Sequence, residues 1–383
     1  LRELTLPGPV LEPEVAAWRQ DGEPEAGGGT TSSHSGHDMG ADEHAGHDMN
    51  GMGAHEHGDM MAIVGEPSAD GLVMEPIELR FGPLATPLPG GVEVEVELDG
   101  DVVASSTVRA LLGAQDSGDP VPAVPDPLAA SAWRAAIAAA TSADDPADAG
   151  VRRRRLAAVE LDRAVSHLAW LRSFGRALGW RSLIDACSGA LTRTSELRSQ
   201  LAGSAPDLRI PTDSLLDEVT GLAESRRMRL RAGGLGRVSF AEAGELGLRG
   251  PVARAAGVPD DARIGDPLYG ALGFAPVLRE EGDARARALV RVEEARAAIE
   301  LAARALEGKA DVIRGSHPEG STVIVEGPRG PLVVERRAEA WRLTAPGAAA
   351  ARRSAADAMV GREWSAALAA LVSFDLSPWV VGE

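Results

Sequence analysis

Between Val92 and Leu98 the chain reads V-E-V-E-V-E-L, a strict two-residue alternation. Only an extended strand with one covered face satisfies it, because a helix would scatter the valines and glutamates around every side. An Asp99–Gly100 pair follows, then a second β-prone run from Val102, so the sequence predicts a half-buried hairpin closed by a type I′ turn. Together with the preceding LVMEPIELRFGPL, from Leu72 to Leu84, this makes residues 62–110 a small antiparallel β-subdomain.

Beyond it the period changes. Leu161, Val165, Leu168 and Leu171 form an apolar stripe at helical spacing, which Phe174 and Leu178 continue to a stop at Gly179. Further helices are expected at about 183–203, 212–231, 283–307 (ending at Gly308) and 348–371. Between the last two, STVIVEGPRGPLVVERR predicts a β-hairpin over 322–337 around a Gly-Pro-Arg-Gly turn. Residues 111–150, rich in Pro, Asp and Gly, are expected to be an irregular linker. The basic run at 151–155 is expected as a solvated linker or a salt-bridged subunit contact just ahead of the first helix. The order is therefore α+β: a central helical bundle over 151–383, with a small N-terminal antiparallel β-subdomain and a C-terminal β-hairpin.

Charge and cysteine usage narrow the function. Residues 1–70 hold two arginines against fourteen acids and so carry −12 of the net −18, which leaves the body close to balance. Without a basic stripe, no nucleic-acid partner is expected. One cysteine, Cys187, excludes a disulfide framework and any all-cysteine metal site. No apolar window is long enough for a membrane span, and the first residues lack the basic start and apolar run of a signal peptide. Cytoplasmic residence is expected. The glycines of GGLGRV, 233–238, follow a helix pattern and lack a P-loop lysine; no nucleophile elbow or His-Glu-x-x-His occurs.

The first sixty-one residues are of another kind: acidic, poor in large apolar groups, and expected to be disordered. They contain GHDM twice, at 36–39 and 46–49, and HEH at 55–57; His and Met make up eleven of the twenty-eight residues from 34 to 61. Imidazole and thioether with nearby carboxylates suit copper, and the histidines alone would take nickel. His34, His37, Met39, His44, His47, Met49, His55 and His57 are the candidate donors.

Three stretches together point to a family. They are ELDRAVSHLAWLRSFGRALGW (160–180), the block from Gly247 to Gly308 that begins GLRGPVARAAGVPDDARIGDPLY, and the hairpin VEGPRGPLVV with the terminal SFDLSPW. Their order and spacing resemble the 49 kDa (D) subunit of respiratory complex I and the large subunits of membrane-bound group 4 [NiFe] hydrogenases, over roughly residues 71–383. The resemblance implies NAD- and quinone-linked electron transport, an iron–sulfur small subunit and membrane subunits as partners, and a peripheral position on the inner face of the cell membrane.

Checked position by position, the implied chemistry is not carried. A [NiFe] centre needs four thiolates in two Cys-x-x-Cys pairs. No cysteine lies between Val103 and Arg155, where the first pair would fall. The terminal segment reads Asp375-Leu376-Ser377-Pro378-Trp379-Val380, which matches the family's aspartate and then supplies no cysteine. The loop FGPLATPLPGG matches at Gly82 and Pro83 but lacks the quinone-binding histidine, and Tyr269, the one tyrosine, matches a different family position.

What the resemblance leaves is a framework of charges: Glu160, Arg163 and His167 on one helix face, then Arg254, Asp261, Arg263, Asp283, Arg287, Arg291 and Glu294. A structural ion network is the expected role, with a remnant redox or proton-coupling path as the alternative. No catalytic residue and no core cofactor are expected, apart from a quinone at the subunit interface. The expectation is thus a non-catalytic or quinone-contacting subunit with no independent activity. The alternative is a metal-binding accessory or scaffold protein that acts through the leader.

Overall fold

The computed structural model describes residues 76–113, 127–141, 149–203, 208–212, 214–308, 322–337 and 340–380. The acidic leader over 1–61, with its eight candidate metal donors, and the start of the β-subdomain lie outside the described residues.

Strand β1 (Ile77–Phe81) pairs antiparallel with β2 (Val92–Asp99), which pairs antiparallel with β3 (Val102–Ala110). The alternation does what its period requires. Val92, Val94 and Val96 are buried, while Glu93, Glu95 and Glu97 face outward, where Arg109 and Thr107 reach Glu95 from the next strand. The turn differs from expectation by one residue. The register slips between Glu97 and Leu98, Asp99 pairs with Val102, and the two-residue loop becomes Gly100–Asp101, with positive φ on Gly100 alone. A bulge moved the turn, so the type I′ expectation at 99–100 is corrected.

The connection expected to be irregular is not wholly so. Strand β4 (Leu112–Gly113) and helix α1 (Ala130–Thr141, led in by a 3₁₀ turn at Pro127–Ala129) fall within it, and α1 buries Trp133 and Ala136. Its alanines give no sharp period, yet they allow close packing. Helix α2 (Ala149–Ala177) starts early enough to contain the basic run 151–155, so that run is helix surface and not a linker. Helix α3 is Arg181–Ala202. The expected 212–231 helix is two, α4 (Asp217–Glu224) and α5 (Arg226–Ala232); Ser225 ends one and caps the next by accepting from the Met228 N–H.

Short helices α6 (Phe240–Glu245), α7 (Gly250–Ala255) and α8 (Pro267–Ala271) follow, and then the long α9 (Ala284–Leu306). The C-terminal hairpin has a third strand, with β5 (Thr322–Gly327), β6 (Gly330–Arg337) and β7 (Ala340–Thr344) pairing antiparallel in that order. The last helical stretch is also two, α10 (Ala348–Asp357) and α11 (Trp364–Ser373), separated where Gly361 takes a positive φ. Strand β8 (Trp379–Val380) closes the described chain parallel to β4. Among the described residues no helix is long and apolar enough to cross a membrane.

α2 and α9 lie along each other at the centre, with α3 on the other side of α2. Both central helices are buried on nearly every face, including their charged positions. Gly250 brings a third element against them. Its φ is +62°, and an added Cβ would lie 2.2 Å from the Arg329 carbonyl oxygen, so only glycine lets the start of α7 touch the β5–β6 turn.

Candidate functional site

All ten framework residues expected from the sequence are buried, and eight of them join one string of hydrogen bonds and ion pairs. The string begins at Tyr269 on α8, whose hydroxyl donates to Glu160 Oε1 at 2.6 Å. Glu160 also accepts from Arg163 Nε (3.1 Å) and from Arg263 Nη1 (3.2 Å). Arg263 forks onto Asp261 through Nε (2.9 Å) and Nη2 (2.7 Å), the bidentate geometry a planar guanidinium favours. Asp261 Oδ2 lies 3.1 Å from Arg254 Nη1, and Arg254 grips Glu294 through Nε (2.5 Å) and Nη2 (3.2 Å).

The string continues through His167. Arg291 Nη1 lies 3.0 Å from His167 Nδ1, and Glu294 Oε2 lies 3.0 Å from Nε2. An arginine can only donate, so Nδ1 accepts and Nε2 carries the proton towards Glu294. The imidazole is therefore neutral. Burial lowers its pKa, and Arg291 and Arg163 lower it further, against the pull of Glu294, to about 4. Arg291 then stacks over the Trp170 ring at 4.6 Å and places Nη2 2.8 Å from Asp375 Oδ2, while Arg329 Nε donates to Asp375 Oδ1 at 3.1 Å.

Arg163 fastens the string to the C-terminal sheet by donating to the Gly327 and Glu326 carbonyls, both at 2.7 Å. Glu326 adds its carboxylate, accepting from Arg254 Nη1 (2.9 Å) and the Ala262 N–H (3.1 Å). Burial raises the Glu326 pKa, with Asp261 adding to the rise and Arg254 opposing it. Glu294 is the opposite case: burial would raise it, but Arg254 and the His167 bond outweigh that and hold it well below the ordinary range. Glu160 and Asp375 are likewise held low by their arginines against burial. Two carboxylates in one network thus have pKa values pushed apart.

The remaining two expected residues form a neighbouring tie. Asp283 caps α9, accepting from the Ala286 N–H (2.8 Å) and the Gly234 N–H (2.7 Å). Arg287 donates to Ser373 Oγ (2.7 Å) and to the carbonyls of Gly282 and Gly236 (both 2.9 Å), with its guanidinium over Phe374. Sequence reasoning had matched Asp375 and Tyr269 to the family without giving them a place in the network. It missed Glu326 and Arg329 entirely; Glu326 immediately precedes the Gly-Pro-Arg-Gly turn and Arg329 is its arginine, which was the available signal.

Nothing in this arrangement fits a four-thiolate centre. The single Cys187 is buried on α3, with burial pushing its pKa up to about 12. Among the described residues no group of three or more His, Cys, Asp or Glu could hold a metal ion. The carboxylates of the network are taken up by arginines, and His167 is held between Arg291 and Glu294.

The helical body is thus threaded by buried arginine–carboxylate pairs and locked to a flanking sheet. Residues 203–337 match the family model for the 49 kDa subunit of respiratory-chain NADH dehydrogenase, and through that region the chain is homologous to the D-type subunits of NADH-quinone oxidoreductase. The D-type subunit of Salinibacter ruber is 32% identical over 181 residues, 40% of each chain. The second D-type subunit of Sinorhizobium medicae is 45% identical over 89 residues, 22% of each. The H-type subunit of the chloroplastic NAD(P)H-quinone oxidoreductase of Populus trichocarpa is 32% identical over 182 residues, 40% of this chain and 46% of that one. The match thus spans less than half the length of these relatives. In fold, the chain is similar to a chain of a membrane-bound sulfane sulfur reductase, an archaeal respiratory membrane complex, with a TM-score of 0.57 and 20% identity over 79% of this chain and 97% of that one.

Proposed function

We propose that this chain is a non-catalytic, or at most quinone-contacting, large-subunit homologue inside a complex I-like respiratory membrane assembly, without a [NiFe] centre. An iron–sulfur small subunit packs on its helical body, and membrane subunits hold it on the inner face of the cell membrane. One observation carries this reading. The buried string runs from Tyr269 to Arg329 with an arginine at every carboxylate, while these 383 residues contain a single, buried cysteine. Such a network orders a bundle and its neighbours but offers no group to hold or transfer an electron. A quinone contact falls at the subunit interface, where the 82–91 loop presents exposed Leu84 but neither histidine nor tyrosine.

Purification of the tagged full chain from native membranes tests this. Co-elution with an iron- and sulfide-containing small subunit and membrane subunits is expected; a lone monomer without an iron–sulfur partner refutes the reading.

A second reading rests on the leader alone. The repeated GHDM motif and HEH give that segment eight donors suited to copper or nickel, which would make the chain a metal-binding accessory or scaffold protein. Deleting residues 30–61 should then abolish copper and nickel binding while the core stays folded. Unchanged metal binding after the deletion eliminates it.

A further inference from the structure

At the far end of the buried string, beyond Arg291, lies a cleft that opens to solvent. It sits between the β5–β6 turn, the N-terminus of α10 and the segment Phe374–Trp379.

Its walls are of two kinds. Trp133, Pro328, Pro331, Phe374 and Trp379 supply flat apolar surface. The charged lining is Arg249, Arg291 and Arg329, set against the single carboxylate of Asp375. Asp375 is already shared by Arg291 and Arg329, while Arg249 leans 3.0 Å from Asp260 and is 43% exposed at its side chain. Arg291 is 1% exposed, and its Nε has no hydrogen-bond partner among the described residues. The lining therefore carries more positive than negative charge.

The end of α10 adds to this. The helix is ten residues long, and its N-cap is Gly347, which has no side chain to accept from the first N–H groups. Its first turn contains no acid. Gly347 and Ala348 both line the cleft, so the positive end of the helix dipole faces it with no side-chain cap and no acid in its own first turn. Arginines and an uncapped helix start converging on one space form an anion site.

We propose that this cleft binds a small organic anion with a carboxylate or similar oxyanion head and a flat apolar body. The head lies between Arg249, Arg329 and the start of α10, and the body lies against the Trp133, Phe374 and Trp379 rings. The inference does not rest on the assembly reading. It concerns the isolated chain, so either can fail alone.

The probes are benzoate, its neutral isostere benzamide and inorganic phosphate, titrated against the purified full chain by ligand-observed NMR. Saturable benzoate binding is expected, with benzamide and phosphate each weaker by about tenfold, since one loses the charge and the other the flat body. Arg249→Gln should weaken benzoate by about fivefold, in line with one half-exposed charged hydrogen bond. Ala348→Asp should weaken it by about tenfold or more by placing a fixed carboxylate at the helix start, where an acid suits the fold. Circular dichroism and melting of both variants, unchanged or higher, separate loss of binding from loss of structure. Benzamide or phosphate binding as tightly as benzoate overturns the proposal. So do an unchanged benzoate affinity in both folded variants and the absence of benzoate binding to the parent chain.

Discussion

Glu294 is the carboxylate on which the string depends, and Glu294→Gln tests whether the network acts as one unit. In the parent chain Glu294 accepts two hydrogen bonds from Arg254 and one from His167. A glutamine keeps one oxygen acceptor, which can take the Arg254 Nε–H. Its amide nitrogen is a donor, and in the place of Oε2 it would face both the second Arg254 N–H and the His167 Nε2–H, donors themselves. The ring cannot relieve this by changing tautomer, because Nδ1 must stay unprotonated to accept from Arg291. Arg254 meanwhile loses a full counter-charge while remaining 0% exposed. Removing one partner of a buried ion pair costs about 3–5 kcal/mol, a large share of the roughly 5–15 kcal/mol that holds a typical domain. With a urea slope of about 3 kcal/mol/M, the unfolding midpoint should fall by roughly 1 M or more. Equilibrium urea unfolding followed by circular dichroism measures this. A shift corresponding to less than about 1 kcal/mol would show that water or rearrangement satisfies Arg254 and His167, and would refute the account of a sealed network.

Three further outcomes follow from the same geometry. The His167 pKa is depressed from 6.5 to about 4, so between those values the unfolded chain binds a proton that the native chain does not. Stability should be full above pH 6.5 and fall as pH drops towards 4, by about 3 kcal/mol from this group; a His167 imidazole, assigned by its loss in a His167→Gln variant, that titrates near 6.5 by NMR would contradict it. Tyr269→Phe removes the 2.6 Å hydroxyl bond to Glu160 but keeps the ring over Phe274, so a loss of about 1–2 kcal/mol is expected in the same unfolding assay. Gly250→Ala combines a φ of +62° with a Cβ placed 2.2 Å from a backbone oxygen, and should cost at least about 2 kcal/mol in a melting experiment, whereas Gly270→Ala, where an added Cβ meets nothing, should not.

The parts of this fold that are legible in the sequence are those where burial is one-sided. The valines of β2 alternate because one face is covered, and the Leu161–Leu178 stripe shows the helical period for the same reason. Where burial is nearly all-round, the period disappears. Arg163, His167, Arg287, Arg291 and Glu294 occupy buried faces of α2 and α9 that a hydrophobic template reads as solvent. Only the family resemblance pointed to them as a group, and it did not give their partners. Glu326 shows why. Alternation along β5 puts it on the same face as Ile324, which is 55% exposed, yet Glu326 is 2% exposed because the strand end docks under Arg254 and Arg163. The short helices were missed for another reason. α6 is set by a capping box from Ser239 and Glu242, a local signal that was available, and α8 by Asp266 accepting from Leu268 and Tyr269; neither is long enough to show a period.

The completeness of the string beside a single cysteine has a physical explanation on the reading proposed above. Glu160, Arg263, Asp261, Arg254 and Asp375 are each tied to at least two other charges. Arg254 holds Glu294, Asp261 and Glu326, and Glu160 is held by Arg163 and Arg263. Removing Arg254 or Asp375 alone therefore strands buried partners, at a cost comparable to much of the fold's stability. Replacing such a network by apolar residues could be neutral or favourable, but only if several positions changed together. A metal-binding thiol at a cleft wall is a different case. Its replacement by serine, alanine or tryptophan leaves no buried unpaired charge, and the fold loses little. Substitution one residue at a time thus removes ligands readily and the arginine–carboxylate frame hardly at all. A large-subunit fold released from metal chemistry should keep its buried ion pairs longest, with the exposed cleft beyond Arg291 as the place where new binding chemistry can arise.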